Sequence, residues 1–469
     1  MTDQTIPALQ RALRHARAHL ETLDTQPVAA RADLATLRAR LGAPWTDEGV
    51  PAVQVIDDLV AATAGGHHAC AGGRFFGWVI GGALPAALAA DWLTSTWDQN
   101  AGLYACAPAA AVTEEVCGAW LKALFDLPES ASFALTTGCQ LAHVTALAAA
   151  RHAVLRDAGW DVEEQGLFGA PPVRIIVNED RHGSIDRAAR HLGFGRASLR
   201  IVPLDADGRL GAAALADALA AGSGPTIVVL QAGDLHLGAC DDFEALVPMC
   251  KAAGAWVHVD GAFGLWAKAS PRWAHLMRGV EAADSWATDG HKWLNAPYDS
   301  GLAFVRDAAA HRAAMTLSAS YLAPGGDARD PLDFTPEFSR RARGFAVYAA
   351  LRELGRAGLA DLIDRCCAHA AALAHGIAAL PGAELIAGPG LNQAMVRFPD
   401  PRPAATEADH ARRTDAVVAA VNAGGEAFFS PSTWRGRRGM RVSVSNWRTD
   451  ARDVARAVEA VRAALAGAG

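Results

Sequence analysis

Between residues 130 and 305, short apolar runs rich in β-branched side chains alternate with helical stretches, and this constrains the fold more than any other feature of the chain. The runs are Ser132 to Leu135, Val173 to Val177, Leu199 to Val202, Thr226 to Leu230, Trp256 to Val259 and Leu302 to Val305. Such alternation builds βαβ units around a mainly parallel sheet, whose ligand chemistry gathers at the carboxyl ends of the strands. The fold class is therefore α/β. With 469 residues the chain exceeds one small core, so further domains are expected around this sheet. Two helices are predicted from residue 4 to about 41, broken at Gln26-Pro27, with Asp33 early in the second and Gly42 and Pro44 closing it. After Ser339 a long helical pattern runs to about Ala379, followed by strand candidates Ala394 to Phe398 and Met440 to Val444 and an amphipathic helix after Thr449. These patterns divide the chain into an N-terminal helical arm (1–100), a large domain (101–345) and a smaller α+β domain (346–469), with no internal repeat.

Lys plus Arg number 43 against 50 Asp plus Glu, a net charge of −7, so no overall field draws the protein to nucleic acid or an anionic membrane. Small molecules and copies of the chain itself are the expected partners. The short run Trp434-Arg435-Gly436-Arg437-Arg438 reads as a solvated loop or dimer contact. Eight cysteines in so long a chain, none in a Cys-x-x-Cys pair, point to a reducing, cytoplasmic setting without a disulfide framework or a metal site. Cys366 and Cys367 read as buried small hydrophobes on a helix. The first residues carry Asp3 and an amphipathic pattern (Leu9, Leu13, Ala16, Leu20) rather than a signal peptide. The longest apolar run, Phe75 to Ala90, is interrupted by Gly77, Gly81, Gly82 and Pro85 and stops short of the roughly 20 residues a bilayer requires.

The sharpest stretch is Trp256-Val-His-Val-Asp260-Gly-Ala262, an apolar strand that delivers a carboxylate into a glycine-containing turn. Thirty-two positions later (292 − 260) stands Lys292, in Asp289-Gly-His291-Lys292-Trp293. A lysine desolvated among such neighbours is expected to have a lowered pKa and to form an imine with an aldehyde. Amine and carboxylate together suggest pyridoxal phosphate, whose aldehyde needs the lysine and whose ring nitrogen needs an anion. Thr137-Gly138-Cys139-Gln140 ends a strand and opens a helix from Leu141 to Arg156, a place for a phosphate. His182, following a strand, offers a flat ring to a flat cofactor.

In this order the elements resemble the pyridoxal-phosphate-dependent group II amino acid decarboxylases, the family of aromatic amino acid and glutamate decarboxylases. The similarity runs from about Arg74 to the C-terminus through Phe75-Phe76-Gly77, Pro108-Ala109 with Glu114, the 137–140 turn, His182, Asp260-Gly-Ala262 and His291-Lys292-Trp293. The resemblance implies the aspartate-aminotransferase fold, fold type I, and a homodimer with its active site near the subunit interface. It further implies that Lys292 forms the Schiff base, that Asp260 holds the ring nitrogen, and that His182 and Ala262 flank the ring. Gly138, Cys139, Gln140, Asp289 and His291 would surround the phosphate. The implied reaction is loss of carbon dioxide from an L-amino acid to give an amine, with aldehyde synthesis, carbon–carbon lysis or transamination as alternatives at the same cofactor.

Members of the aromatic branch carry a proton-donating tyrosine upstream of a basic pair like Arg340-Arg341. Counting back from that pair reaches Pro331 and Leu332; no tyrosine lies between Leu322 and Ser339, Tyr321 comes too early and Phe334 has no proton to give. The choice between amine and aldehyde therefore stays open in the sequence. Trp78 and Gly81 are expected at the substrate wall, and Asp234, near His236, either contacts substrate or cofactor or forms a polar turn. Arg441 is the C-terminal arginine to compare with the carboxylate-gripping arginine of aminotransferases. The cluster Trp97-Asp98-Gln99-Asn100 either lines the pocket or ends a helix.

Overall fold

A computed structural model describes residues 3–316 and 328–467. Its large sheet contains β1 (Ser132–Thr136), β2 (Arg174–Asn178), β3 (Leu199–Val202), β4 (Thr226–Gln231), β5 (Trp256–Asp260), β6 (Ser285–Asp289) and β7 (Gly301–Val305). The spatial order is β1-β7-β6-β5-β4-β2-β3, with β7 antiparallel to both its neighbours and the remaining pairs parallel. The six expected runs are all strands. The seventh, β6, has no β-branched run; its sequence Ser-Trp-Ala-Thr-Asp is nonetheless buried at every position.

The helix Cys139–Asp157 packs against this sheet with alanines at 142, 146, 149, 150 and 153, all buried. Small side chains let helix and strands approach closely, and a helix buried nearly all round needs no polar stripe. Trp266, Trp286 and Trp293 are fully buried beyond the sheet ends, and each large ring supplies apolar area that the small alanines do not. Trp266 Nε1 donates to the Asp289 carbonyl at 2.9 Å, so this core also anchors the end of β6.

A second sheet is antiparallel, with β8 (Glu384–Gly390), β9 (Gln393–Arg397), β10 (Ser430–Trp434) and β11 (Arg437–Ser443) in the order β10-β11-β9-β8. The helix Gly344–Ala378 links the two sheets in sequence and kinks at Gly355, where φ is +59°. Cys366 and Cys367 are buried on it, as expected. The basic run 434–438 is the β10–β11 hairpin, turning through left-handed Arg435 and Gly436, with Arg437 paired to Glu384 and Arg438 to Asp415.

N-terminal to the large sheet lie helices Thr5–Thr22, Leu34–Leu41, Ala52–Thr63, Pro85–Trp97 and Pro108–Leu124. The Asp33 side chain accepts the Thr36 N–H at the start of the second helix, a cap of about 1 kcal/mol. Asp98 ends the fourth helix in the left-handed conformation, which makes the 97–100 cluster a helix terminus. No helix among the described residues is long and apolar enough to cross a membrane.

Candidate active site

Asp260 ends β5 and Asp289 ends the adjacent β6, so parallel strands deliver two carboxylates to one edge of the sheet. Register pairs Gln231 of β4 with Asp260, and Asp260 with Ala287, which sets Asp289 one residue pair further out. Lys292 follows in the loop after β6. A cleft of about 540 Å³ opens here, and Lys292, Asp260, Asp289, His182, Ala262 and Arg441 all line it. Gly138, Cys139, Gln140, His291 and Trp78 complete the set of expected residues on its walls.

Lys292 Nζ lies 3.1 Å from Asp289 Oδ2. Burial acts to lower the lysine pKa, but the anionic neighbours, Asp289 foremost, outweigh it and the value lies above the ordinary one. The expected depression is thus reversed, because the amine shares its pocket with a carboxylate three residues earlier. Asp289 Oδ1 meanwhile accepts the Cys139 N–H at 2.5 Å. Asp289 therefore stands between the lysine and the start of the helix, using one of the amides expected to cradle a phosphate.

That helix has Gly138 as its N-cap and no side-chain cap, which leaves room at its first turn. A Cβ at 138 would come within 3.1 Å of His291 Cε1, so glycine allows the close approach of the two loops. The His291 ring is stacked on Tyr298 at 4.2 Å between centroids and accepts the Ser300 N–H on Nδ1 at 3.2 Å. Ser300 Oγ is buried and has no hydrogen-bond partner among the described residues. Gln140 Nε2 donates to the Ser184 carbonyl at 3.3 Å.

His182 begins the helix Gly183–His191, its Nδ1 accepting the Ser184 N–H at 3.3 Å and lying 2.7 Å from Ser184 Oγ. This cap fixes the ring and leaves Nε2 toward the cleft. Burial pulls the His182 pKa down, so the ring is neutral at physiological pH. Ala262 donates its N–H to Asp260 Oδ1 at 3.2 Å and accepts the Asp289 N–H at 3.0 Å, tying the two strand ends together.

Trp78 adopts a left-handed backbone, its N–H held by Ser430 Oγ at 3.1 Å, and its ring packs 5.5 Å from Phe428. It forms an aromatic cleft wall and remains half exposed (49%). Two expectations for the substrate wall need correction. Gly81 does not line the cleft: it packs on the backbone of Lys292, where any Cβ would run into the Lys292 carbonyl oxygen. Asp234 is likewise no wall residue, because its carboxylate accepts the N–H groups of His236 (2.7 Å), Leu237 (3.1 Å) and Ala239 (2.8 Å) and so builds the polar turn.

Arg441, on β11, is buried beside the cleft with Nη2 donating to Gln393 Oε1 at 3.2 Å and Nε without a partner among the described residues. Burial lowers its pKa to about 10, which still leaves it charged at neutral pH. Tyr298 and Arg187 also line the cleft, and neither stood out in the sequence. Tyr298 follows Lys292 by six residues in Pro297-Tyr298-Asp299, a spacing that could have marked it. The position reached by counting back from Arg340-Arg341 is different in kind: Pro331 and Leu332 are buried in a 3₁₀ turn, and Phe334 packs on His311 with its carbonyl taking His311 Nε2–H at 2.9 Å. Tyr321 lies outside the described residues.

These residues fit pyridoxal phosphate. Lys292 provides the amine and Asp260 the anion, while His182 and Ala262 provide facing walls for a flat ring. The uncapped helix start with Ser300 and His291 offers hydrogen-bond donors to a phosphate.

The comparisons with known proteins agree. The model for the pyridoxal-dependent decarboxylase conserved domain matches residues 44–398. The chain is 26% identical over 372 residues to an aromatic-L-amino-acid decarboxylase of Bacillus atrophaeus, covering 78% of this chain and 74% of the relative. It is 32% identical over 329 residues to an L-2,4-diaminobutyrate decarboxylase of Rhizobium meliloti, covering 67% of this chain and 63% of the relative. The crystal structure of Oryza sativa TDC with PLP and tryptamine superposes with a TM-score of 0.92 at 24% identity, over 100% of this chain and 98% of that one. That of mouse CSAD in apo form gives 0.89 at 22% identity, over 98% of each chain. The fold is fold type I, and the chain belongs to the pyridoxal-dependent decarboxylase family, whose cofactor is pyridoxal phosphate and whose reaction is removal of carbon dioxide from an amino acid.

Proposed function

We propose that this cleft decarboxylates an L-amino acid to an amine with Lys292 as the amine that tethers the cofactor's aldehyde. The observation that carries the reading is the convergence of Lys292, Asp260 and His182 on one cleft from three separate chain segments. Pyridoxal phosphate, when bound, supplies a sink for the electron pair left at Cα by the departing carboxylate. Asp260 holds the proton on the ring nitrogen. His182, locked by Ser184, orients the ring, and the helix start at Gly138 with His291 and Ser300 holds the phosphate. Lys292 Nζ, beside Asp289, is the group that hands protons to and takes them from the substrate nitrogen.

Arg441 is a buried cation for which the described residues provide no ion pair. A carboxylate of the substrate meets that charge in a charge-assisted hydrogen bond. Trp78 supplies the apolar wall for the substrate side chain. The proton that returns to Cα comes from Tyr298: burial pushes its pKa up to about 12, so the hydroxyl is protonated at neutral pH and can act as an acid. This favours the amine over oxidative routes to an aldehyde.

A homodimer in the cytoplasm completes the proposal. Helix Thr5–Thr22 leaves Ile6, Leu9 and Leu13 exposed, and Leu34, Leu41 and Trp45 are exposed beside it, an apolar surface that a second copy would cover. All eight cysteines are free thiols, in keeping with a reducing compartment. The test is a panel of L-amino acids incubated with the purified holoenzyme, with carbon dioxide, amine, hydrogen peroxide and ammonia measured together. Carbon dioxide with equimolar amine supports the reading; a protein that retains cofactor yet releases no carbon dioxide from any amino acid contradicts it.

A further inference from the structure

Behind Asp260, away from the cleft, lies a row of buried polar groups that the reaction above does not use. His258 is two residues before Asp260 on β5, so both side chains point to the same face of the sheet, toward the helix Cys139–Asp157. On that helix His143 stands one turn after Cys139, with Nε2 3.6 Å from Asp260 Oδ1 and Nδ1 2.9 Å from His258 Nε2. His258 Nδ1 lies 2.9 Å from the Oγ of Ser285, its register partner on β6. Ser285 Oγ in turn accepts the indole N–H of Trp256 at 2.9 Å. His143, His258 and Ser285 are fully buried.

The ends of this row decide the direction of every bond within it. An indole N–H only donates and an ionised carboxylate only accepts. Burial lowers the pKa of both histidines to about 3, so each ring is neutral and carries one proton. Trp256 donates to Ser285 and leaves the serine hydroxyl free to donate to His258 Nδ1. His258 then carries its proton on Nε2 and donates to His143 Nδ1, and His143 carries its proton on Nε2, facing Asp260. The opposite arrangement would aim the Nε2 lone pair of His143 at the carboxylate and leave that nitrogen to the Cys139 thiol, 3.3 Å away.

We propose that Trp256, Ser285, His258 and His143 form a one-way hydrogen-bond relay that holds the Nε2 proton of His143 on Asp260, making His143 the positioning residue of the carboxylate that faces the cofactor. The proposal rests on the reading that Asp260 meets the ring nitrogen. The relay keeps Asp260 anionic and aimed in surroundings where burial alone would favour its neutral form. Cys139, His143 and Asp260 offer ligand atoms within 4.8 Å of one another, and the relay accounts for that cluster as a hydrogen-bonded unit.

Long-range proton–nitrogen correlation spectra of the holoenzyme labelled with ¹⁵N-histidine report which ring nitrogen bears each proton, with His143→Gln and His258→Gln providing the assignments. Protons on Nε2 of both His143 and His258 are expected; a proton on Nδ1 of His143 overturns the relay. In parallel, the cofactor dissociation constant is measured for His143→Leu, His143→Gln and Asp260→Asn. His143→Leu is expected to weaken binding about 10-fold or more, whereas His143→Gln, which retains an N–H donor, stays within about threefold of the unchanged protein. Equal losses in the two variants mark a packing role and overturn the relay. Should Asp260→Asn weaken binding while His143→Leu does not, the relay alone fails; should neither weaken it, the reading of Asp260 fails with it.

Discussion

Lys292 and Asp289 form an ion pair at 3.1 Å within the cleft, and the other oxygen of the same carboxylate takes the first amide of the helix that begins at Cys139. One carboxylate thus joins the amine, the end of β6 and the helix start. It also raises the lysine pKa above its ordinary value against the pull of burial.

The raised value has a direct kinetic consequence. Capture of the cofactor's aldehyde requires the neutral amine, and below its pKa the neutral fraction of Lys292 rises tenfold for each unit of pH. Cofactor uptake by the apoprotein is therefore expected to quicken as pH rises through the neutral range. Asp289→Asn removes the largest charge that raises the lysine pKa and is expected to shift this profile to lower pH by about one unit or more. Stopped-flow absorbance across a pH series measures it; an unshifted profile would show that Asp289 does not govern the amine.

Tyr298→Phe removes the proton donor assigned above. The expected result is a loss of amine formation of about 10²-fold or more, in line with the removal of a general acid, with aldehyde, ammonia and hydrogen peroxide rising under oxygen. Product analysis in air and under nitrogen distinguishes the routes. An unchanged amine yield would place the donor elsewhere.

Arg441→Gln is expected to raise KM about 10-fold or more, the loss of one charge-assisted hydrogen bond to a carboxylate. A KM left as it was would assign Arg441 to packing between β11 and β9 alone.

Gly81→Ala is expected to cost about 1 to 3 kcal/mol of stability, because the added methyl group meets the Lys292 backbone and no flexible side chain can yield. Cofactor affinity should fall with it, since the loop that carries the amine must move. Denaturant titration and cofactor release measure the two effects.

Acid stability follows from three buried histidines. His143, His258 and His311 have pKa values lowered from 6.5 to about 3 by burial. Between these limits the unfolded chain binds protons that the folded chain does not. Stability is therefore present above about pH 6.5 and is lost as pH falls toward 3, by about 1.4 kcal/mol per pH unit for each histidine. Replacing His311, which is remote from Asp260 and bonds Ser132 and Phe334, with Gln should flatten that dependence without altering the cofactor site.

The strands of the large sheet were legible wherever valine, isoleucine and leucine run together, as in Val-His-Val before Asp260. β6 was not, because a strand buried on both faces can be built from one tryptophan and small polar side chains when its neighbours supply the apolar cover. β8 and β10 were hidden by Pro389, Gly390 and Pro431, residues that a sheet tolerates near its edges. The amine and the ring-facing carboxylate were legible because strand ends place chemistry reliably. The electrostatic state of Lys292 was not: Asp289 stands three residues away in the sequence, yet its orientation comes from the Cys139 amide. Gly81 and Asp234 had the residue types of a substrate wall, and only the path of the backbone shows that one packs on Lys292 and the other organises a turn.

Borohydride reduction of the yellow holoenzyme followed by peptide mapping tests the central claim most directly. The account predicts loss of the visible band and a phosphopyridoxyl group on Lys292, absent from the Lys292→Ala variant. A group found on another lysine, or the same adduct persisting in that variant, would contradict it.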